Sequence, residues 1–331
     1  MQEKRLVFVT GMIPDPAIDL LRKKCDVEVN AEDRVLSKNE LISKVKGKDA
    51  VLCLLTDTID DEVFQAASPA CKIFANYAVG YNNIDIIAAT RRKIIITNTP
   101  GVLTDATADL AWALLFSVAR RVVEADRFTR EGKFRGWSPR LFLGMEITGK
   151  TLGVVGAGRI GSNFARKAKC FSMRILYYDT KKNYELEQDV GALFVNLETL
   201  LKESDFVSLH VPLLPETRHL IGERELALMK KTAILINTSR GPVVDEKALA
   251  NALKEKKIWG AGLDVYENEP VIEPELTSLD NVVLLPHIAS ATTETRTKMA
   301  IMAAENILAF FRGEIPPNIV NPEVFTGKGR L

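Results

Sequence analysis

TLGVVGAGRIGSNFARKAKCF, residues 151–171, reads as a strand, a glycine turn and the start of a helix. Its glycines are spaced G-x-G-x-x-G, and each has a separate task. Gly156 permits a tight turn, Gly158 lets backbone approach a pyrophosphate, and Gly161 allows the helix to pack closely on the strand. The exposed N–H groups at the helix start suit negative phosphates. The next strand, MRILYYD, ends in Asp179, 18 positions past Gly161. That is close to the roughly 20-residue spacing of a carboxylate that binds the adenosine-ribose hydroxyls. The stretch predicts a parallel α/β sheet holding a dinucleotide. Asp179 favours NAD(H), because its charge repels a 2′-phosphate, while Lys181 and Lys182 leave NADP(H) open. A strand-end turn residue is the plainer reading of Asp179, and an S-adenosylmethionine site also uses such a turn.

Three apolar runs downstream read as buried strands, and each delivers one chemically distinct side chain. AILIN leads to Arg240, WGAGLDV to Glu269, and NVVLLP to His287. In an open α/β sheet, ligands bind beyond the carboxyl ends of the strands, so all three reach one rim. A guanidinium can grip a carboxylate through paired hydrogen bonds. An imidazolium can protonate the alkoxide formed when a hydride reaches a carbonyl carbon, and a neighbouring carboxylate favours its charged form and fixes its tautomer. The trio therefore points to hydride transfer on a small 2-keto acid. The chain has three histidines. His210 also ends a strand and is read as lining the cofactor cleft, and His219 as a surface or packing residue. Glu267 competes with Glu269 as the orienting acid and is read as facing solvent.

Outward from this half, residues 1–99 alternate strands (LVFVTG, VEVN, AVLCLL, IFANYA, IIITNT) with helices at Pro16–Lys24, Lys38–Lys46 and Asp60–Ala67. That alternation predicts a second parallel sheet. No glycine fingerprint follows its first strand, so it should not hold the pyrophosphate. An alanine-rich helix from Ala108, apolar nearly all round, is expected to be buried and to run on into VVEADRFTREGKF. A last helix is expected from Thr292 to Gly313 with a Ser or Thr cap, and a loose tail from Thr326 to Leu331. At 331 residues the chain suggests two domains. Its 47% hydrophobic and 26% charged residues are ordinary for a soluble protein, and a net charge of +1 argues against a nucleic-acid surface. Cys25, Cys53, Cys71 and Cys170 show no ligand or disulfide spacing, so no metal is expected and all four are read as buried or half-buried thiols. No signal segment or membrane span is apparent, and a cytoplasmic location is expected.

Taken together, NYAVGYNNID (76–85), TPGVLTDATADLAWALL (99–115), GVVGAGRIG (153–161), HVPLLPETRHLI (210–221), INTSRGPVVDE (236–246), GAGLDVYENEP (260–270) and LLPHIASAT (284–292) resemble the D-2-hydroxyacid dehydrogenase family. The resemblance covers roughly Leu6 to Phe325. EGKFRGWSPRLFLG (131–144) is similar to its glyoxylate and hydroxypyruvate reductase branch.

The resemblance implies two doubly wound domains with a cleft between them. One is a discontinuous flavodoxin-like substrate domain, 1–99 plus 288–331, and the other a Rossmann domain, 100–287. It implies catalysis by Arg240, Glu269 and His287, with Leu55 and the backbone of Val79 and Gly80 at the substrate. Thr104, Gly156, Ala157, Gly158, Arg159, Ile160, Gly161, Asp179, Val211, Pro212, Thr217, Thr238, Ser239, Arg240, Asp264, His287 and Ala289 would meet the dinucleotide, Asp264 at the nicotinamide amide. Members are usually homodimers, and Trp137 either reaches the partner's active site or is a simple interface or core anchor. Asn82 stands where many relatives carry Asp, and the carboxylate of Glu269 argues against formate oxidation. The implied reaction is reduction of glyoxylate or hydroxypyruvate. A related dehydrogenase, such as one acting on 3-phosphoglycerate, and a non-catalytic NADH sensor are the alternatives.

Overall fold

The computed structural model describes residues 4–32 and 34–325, so the tail expected from Thr326 lies outside the described residues. The chain divides into two compact units, Met1–Leu103 with Ala291–Leu331, and Thr104–Ser290.

In the first unit, strands β1 (Arg5–Val9), β2 (Cys25–Val29), β3 (Ala50–Cys53), β4 (Ile73–Asn76) and β5 (Ile95–Thr97) pair in parallel in the order β2-β1-β3-β4-β5. This is the flavodoxin-like order. Every residue of β3 and β4 is buried, which is why AVLC and IFAN are continuous apolar runs rather than alternating ones. Helices at Asp15–Arg22, Lys38–Val45 and Asp61–Ala67 match the periodicity. Another helix, Ile86–Arg91, is too short for its periodicity to stand out. The helix Thr293–Phe311 returns to this unit, capped by Thr292 Oγ1, which accepts the Thr295 N–H at 3.1 Å. The chain then runs beside β5, where the Val320 N–H donates to Ile96 O at 2.8 Å.

The second unit holds β6 (Thr151–Val155), β7 (Arg174–Tyr178), β8 (Leu193–Phe194), β9 (Phe206–Leu209), β10 (Ile234–Asn237), β11 (Gly260–Leu263) and β12 (Val282–Leu284). All pairings are parallel, in the order β12-β11-β10-β9-β6-β7-β8. Counted from β6, this is the dinucleotide-fold order with one strand added at an edge. The order reverses between β6 and β9, and that switch point is where such sheets bind ligands. One face is packed by the helix Thr104–Ala119, whose Trp112 stacks on Phe164 of the helix Arg159–Ala168 at 4.7 Å between centroids. The indole N–H donates to Phe164 O at 3.1 Å, so the large ring is buried with its polar atom satisfied.

The helix from Thr104 does not run on into VVEADRF as its composition suggests. It stops at Ala119, Arg121 turns left-handed (φ 55°), and a separate helix spans Val122–Arg130. The cause is distant in sequence. The Met145 N–H donates to Ala119 O at 2.8 Å, taking the carbonyl that a continuing helix would give to residue 123. Gly144 lies so close that an added Cβ would sit 2.4 Å from that same oxygen. Gly144→Ala should therefore push the returning strand of chain away and destabilise this unit by about 1–3 kcal/mol. A thermal melt checks this: the melting temperature should fall, and an unchanged value would mean the break is set locally.

Candidate active site

The glycine turn follows β6 at the switch point. Gly156 has φ 93°, and an added Cβ there would meet His210 O at 2.7 Å. A Cβ on Gly161 would lie 1.9 Å from Gly156 O, so the turn and the helix start fit only without side chains. Beside Gly158 there is open space, and no side chain caps this helix. The N–H groups of Arg159, Ile160 and Gly161 thus form an uncapped helix N-terminus over a roomy turn. Asp179, just beyond β7, accepts the Ala157 N–H at 2.7 Å and the Thr180 N–H at 2.6 Å. Its carboxylate braces the turn as well as marking the strand end. The Ala157 carbonyl is held from the other side by Asn183 Nδ2 and Ser162 Oγ, both at 2.8 Å, partners that sequence reasoning missed.

Thr217 Oγ1 donates to Pro212 O at 2.6 Å and shapes the loop after Val211. Ser239 and Thr238 follow β10, and Thr238 Oγ1 is buried with no hydrogen-bond partner. An orphaned hydroxyl, a helix end without a cap and space at Gly158 are what a polyhydroxylated, anionic dinucleotide would complete. His210 directly follows β9, with Ser208 Oγ 2.9 Å from its Nε2 and its ring against Phe164. Burial pulls its pKa down to about 3, so its imidazole is neutral. Thr104 opens the helix that packs beside this site.

Arg240, Glu269 and His287 come off β10, β11 and β12 at the same edge, and the structure brings them together. His287 Nδ1 donates to Glu269 Oε2 at 2.8 Å, with the two side chains 29% and 35% exposed. Burial raises the Glu269 carboxyl, but the hydrogen bond and charge of His287, the Tyr266 N–H at 3.0 Å and the charge of Arg240 outweigh it. The net shift is below the usual glutamate value, so the carboxylate stays ionised. Arg240 is lowered by burial, and the Glu269 charge opposes that. Its turn is built by Asn237, which accepts the Ser239 N–H at 3.0 Å and donates to Arg240 O at 2.9 Å.

His287 itself sits at φ 56°, a left-handed conformation that is strained for any residue with a Cβ. Asp264 explains how it persists. Its fully buried carboxylate accepts the Ile288 and Ala289 N–H groups, each at 2.7 Å. Two hydrogen bonds to a charged acceptor contribute about 1.5–3 kcal/mol each. The strain costs roughly 1–2 kcal/mol. The bonds win. Burial raises the Asp264 carboxyl, and these two N–H groups temper the shift.

Two sequence readings need correction. Glu267 does not face solvent: its side chain is 16% exposed and accepts from Arg218 Nη2 at 2.9 Å and His219 Nε2 at 2.7 Å. His219 is thereby a hydrogen-bond partner of Glu267. Of the cysteines, Cys25, Cys53 and Cys71 are buried but Cys170 is exposed. In the first unit, Leu55 follows β3. Val79 and Gly80 follow β4, their carbonyls accepting from Asn98 Nδ2 at 2.8 Å and Asn76 Nδ2 at 2.9 Å. Among the described residues no helix is long and apolar enough to cross a membrane.

Residues 112–289 match the family model described as D-isomer specific 2-hydroxyacid dehydrogenase, NAD binding domain. The chain is 57% identical over 323 residues to a glyoxylate reductase of Korarchaeum cryptofilum, covering 97% of each chain. A crystal structure of a Thermus thermophilus protein superposes with a TM-score of 0.90 at 45% identity, over 95% of this chain and 99% of that one. An NADPH-dependent glyoxylate/hydroxypyruvate reductase from Sinorhizobium meliloti, solved with NADP and malonate, gives 0.85 at 29% identity over 97% and 98%.

Asp264→Asn should leave one of its two N–H donors without an acceptor and let the backbone at His287 relax. The expected loss is about 1–3 kcal/mol of stability, read by urea unfolding of the second unit. A variant as stable as the parent would show that other contacts hold the His287 backbone.

Proposed function

The chain belongs to the D-isomer specific 2-hydroxyacid dehydrogenase family, and we propose that it reduces glyoxylate, with hydroxypyruvate as a second substrate, to glycolate and D-glycerate. One observation carries this reading: a bonded His287–Glu269 pair beside Arg240, on the sheet edge that also carries the glycine turn. A nicotinamide dinucleotide, when bound, supplies the hydride. The helix N-terminus at Arg159–Gly161 holds its pyrophosphate and Asp179 its ribose hydroxyls. Thr238 completes the contacts, while Asp264, fully buried with its oxygens on the Ile288 and Ala289 N–H groups, holds the backbone there rather than touching the ligand. The carboxylate at Asp179 supports a preference for NAD(H) over NADP(H), since a 2′-phosphate would meet its charge. Lys182 is drawn toward the Phe194 ring at 5.8 Å, which reduces its use as a phosphate partner.

The chain's own residues then divide the work. Arg240 grips the keto acid's carboxylate and polarises its carbonyl. His287, with Nδ1 committed to Glu269, presents Nε2 as the proton donor to the oxygen that becomes the hydroxyl. Glu269 stays ionised and balances the imidazolium charge. The first unit is read as the substrate-binding unit, through Leu55, Val79 and Gly80. Association as a homodimer is supported by the exposed apolar side chains of Val122, Phe134, Trp137 and Leu143.

Steady-state reduction of glyoxylate, hydroxypyruvate, pyruvate and 3-phosphohydroxypyruvate, each with NADH and NADPH, tests the proposal. Glyoxylate should give the highest kcat/KM, and NADH should be the better donor. Arg240→Ala should raise KM for glyoxylate and lower kcat/KM by about 100-fold or more. Preference for the phosphorylated acid, or NADH binding without turnover, would overturn the reading.

A further inference from the structure

Glu246 takes no part in the chemistry just described, yet it is an acid on a buried face. The helix Glu246–Lys254 places Glu246, Leu249, Ala250 and Leu253 on one stripe by the i, i+3, i+4, i+7 rule, and all four are buried. Glu246 is only 6% exposed. An acid in such a place is costly unless its oxygens are satisfied. They are satisfied by one loop. Oε1 accepts the Glu267 N–H at 2.5 Å and Oε2 accepts the Glu273 N–H at 3.3 Å. Those two donors bracket Glu269, two residues before it and four after. The first turn of the helix adds its own favourable field for a carboxylate.

The same loop is pinned at other points. An added Cβ on Gly241, the residue after Arg240, would lie 1.8 Å from the carbonyl carbon and oxygen of Tyr266. The turn that carries Arg240 is thus laid directly on the loop that carries Glu269. Tyr266 OH donates to Leu285 O at 2.8 Å, tying the loop to the chain two residues before His287. Arg218 and His219 hold the Glu267 side chain. Glu246 alone among these clamps grips the loop backbone on both sides of Glu269.

We propose that Glu246 is a positioning residue: by accepting both N–H groups it sets the loop so that the Glu269 carboxylate meets His287. This rests on the catalytic reading above, and Glu246 acts through Glu269 without touching substrate. An ionised carboxylate is needed, because a glutamine keeps one acceptor and turns an NH₂ group toward the second N–H. The titratable groups facing Glu246 are Glu267, Glu269, Glu273 and Tyr266, and those facing Glu269 are His287, Arg240, Asp264, Tyr266 and Glu246 itself.

The test compares kcat and KM for glyoxylate in the parent, Glu246→Gln, Glu269→Gln and the double variant. A Glu269 carboxylate drawn away from His287 leaves the proton donor unoriented, and a positioned acid is worth about 10²–10⁴-fold. Partial loss of that orientation should lower kcat by about tenfold in Glu246→Gln, with KM and NADH affinity little changed. Because Glu246 works through Glu269, the double variant should match Glu269→Gln alone. Losses that multiply, or an unchanged kcat in Glu246→Gln, would overturn the proposal. If Glu269→Gln itself keeps the parent kcat, the catalytic role of Glu269 fails, and this inference with it. Should Glu246→Gln fold poorly, Glu273→Pro removes one of the two donors at a φ of −53° that proline adopts. It should give a smaller fall in kcat, and no fall would count against the proposal.

Discussion

The 2.8 Å contact between His287 Nδ1 and Glu269 Oε2 is the interaction on which the site depends, and it cannot hold itself in place. Both side chains are about a third exposed. Pairs at that exposure contribute roughly 0–1 kcal/mol, less than the strain of a left-handed histidine. The geometry is therefore imposed from below, by buried groups that bind backbone rather than each other. Asp264 fixes the chain after His287, Asn237 shapes the turn at Arg240, and Glu246 clamps the Glu269 loop. Preorganisation here is a property of main-chain hydrogen bonds to buried acids and an amide.

The two ends of the site use different chemistry for a physical reason. Phosphates are alike in every dinucleotide, so backbone N–H groups and close-packed glycines suffice at the turn after β6. A keto acid must be oriented and protonated, and only side chains of fixed charge and tautomer can do that. The parallel sheet reconciles the two demands by ending β6, β10, β11 and β12 at one edge.

Much of this is legible in the sequence, because the informative residues follow strands with a strong signal. Continuous apolar runs such as AILIN and NVVLLP mark buried strands; His287 directly follows the second, and Arg240 lies three residues past the first. Glu269 is harder, since it lies six residues beyond β11, and Glu267 fits the spacing as well. The choice between them depends on Arg218 and His219, about fifty positions away, which claim Glu267. The helix break at Arg121 is hidden for the same reason, as its cause is the N–H of Met145. Glu246 differs: its signal, an acid on an apolar helical stripe, is present in the sequence. What a stripe cannot say is which donors the buried acid will find.

The most direct measurement is a single turnover in which NADH-loaded His287→Gln is mixed rapidly with glyoxylate and the loss of reduced-nicotinamide absorbance is followed. Removing a general acid slows the chemical step by about 10²–10⁴-fold. A first turnover slowed to that degree, with NADH affinity intact, is the predicted result. A first turnover at the parent's rate would contradict the account.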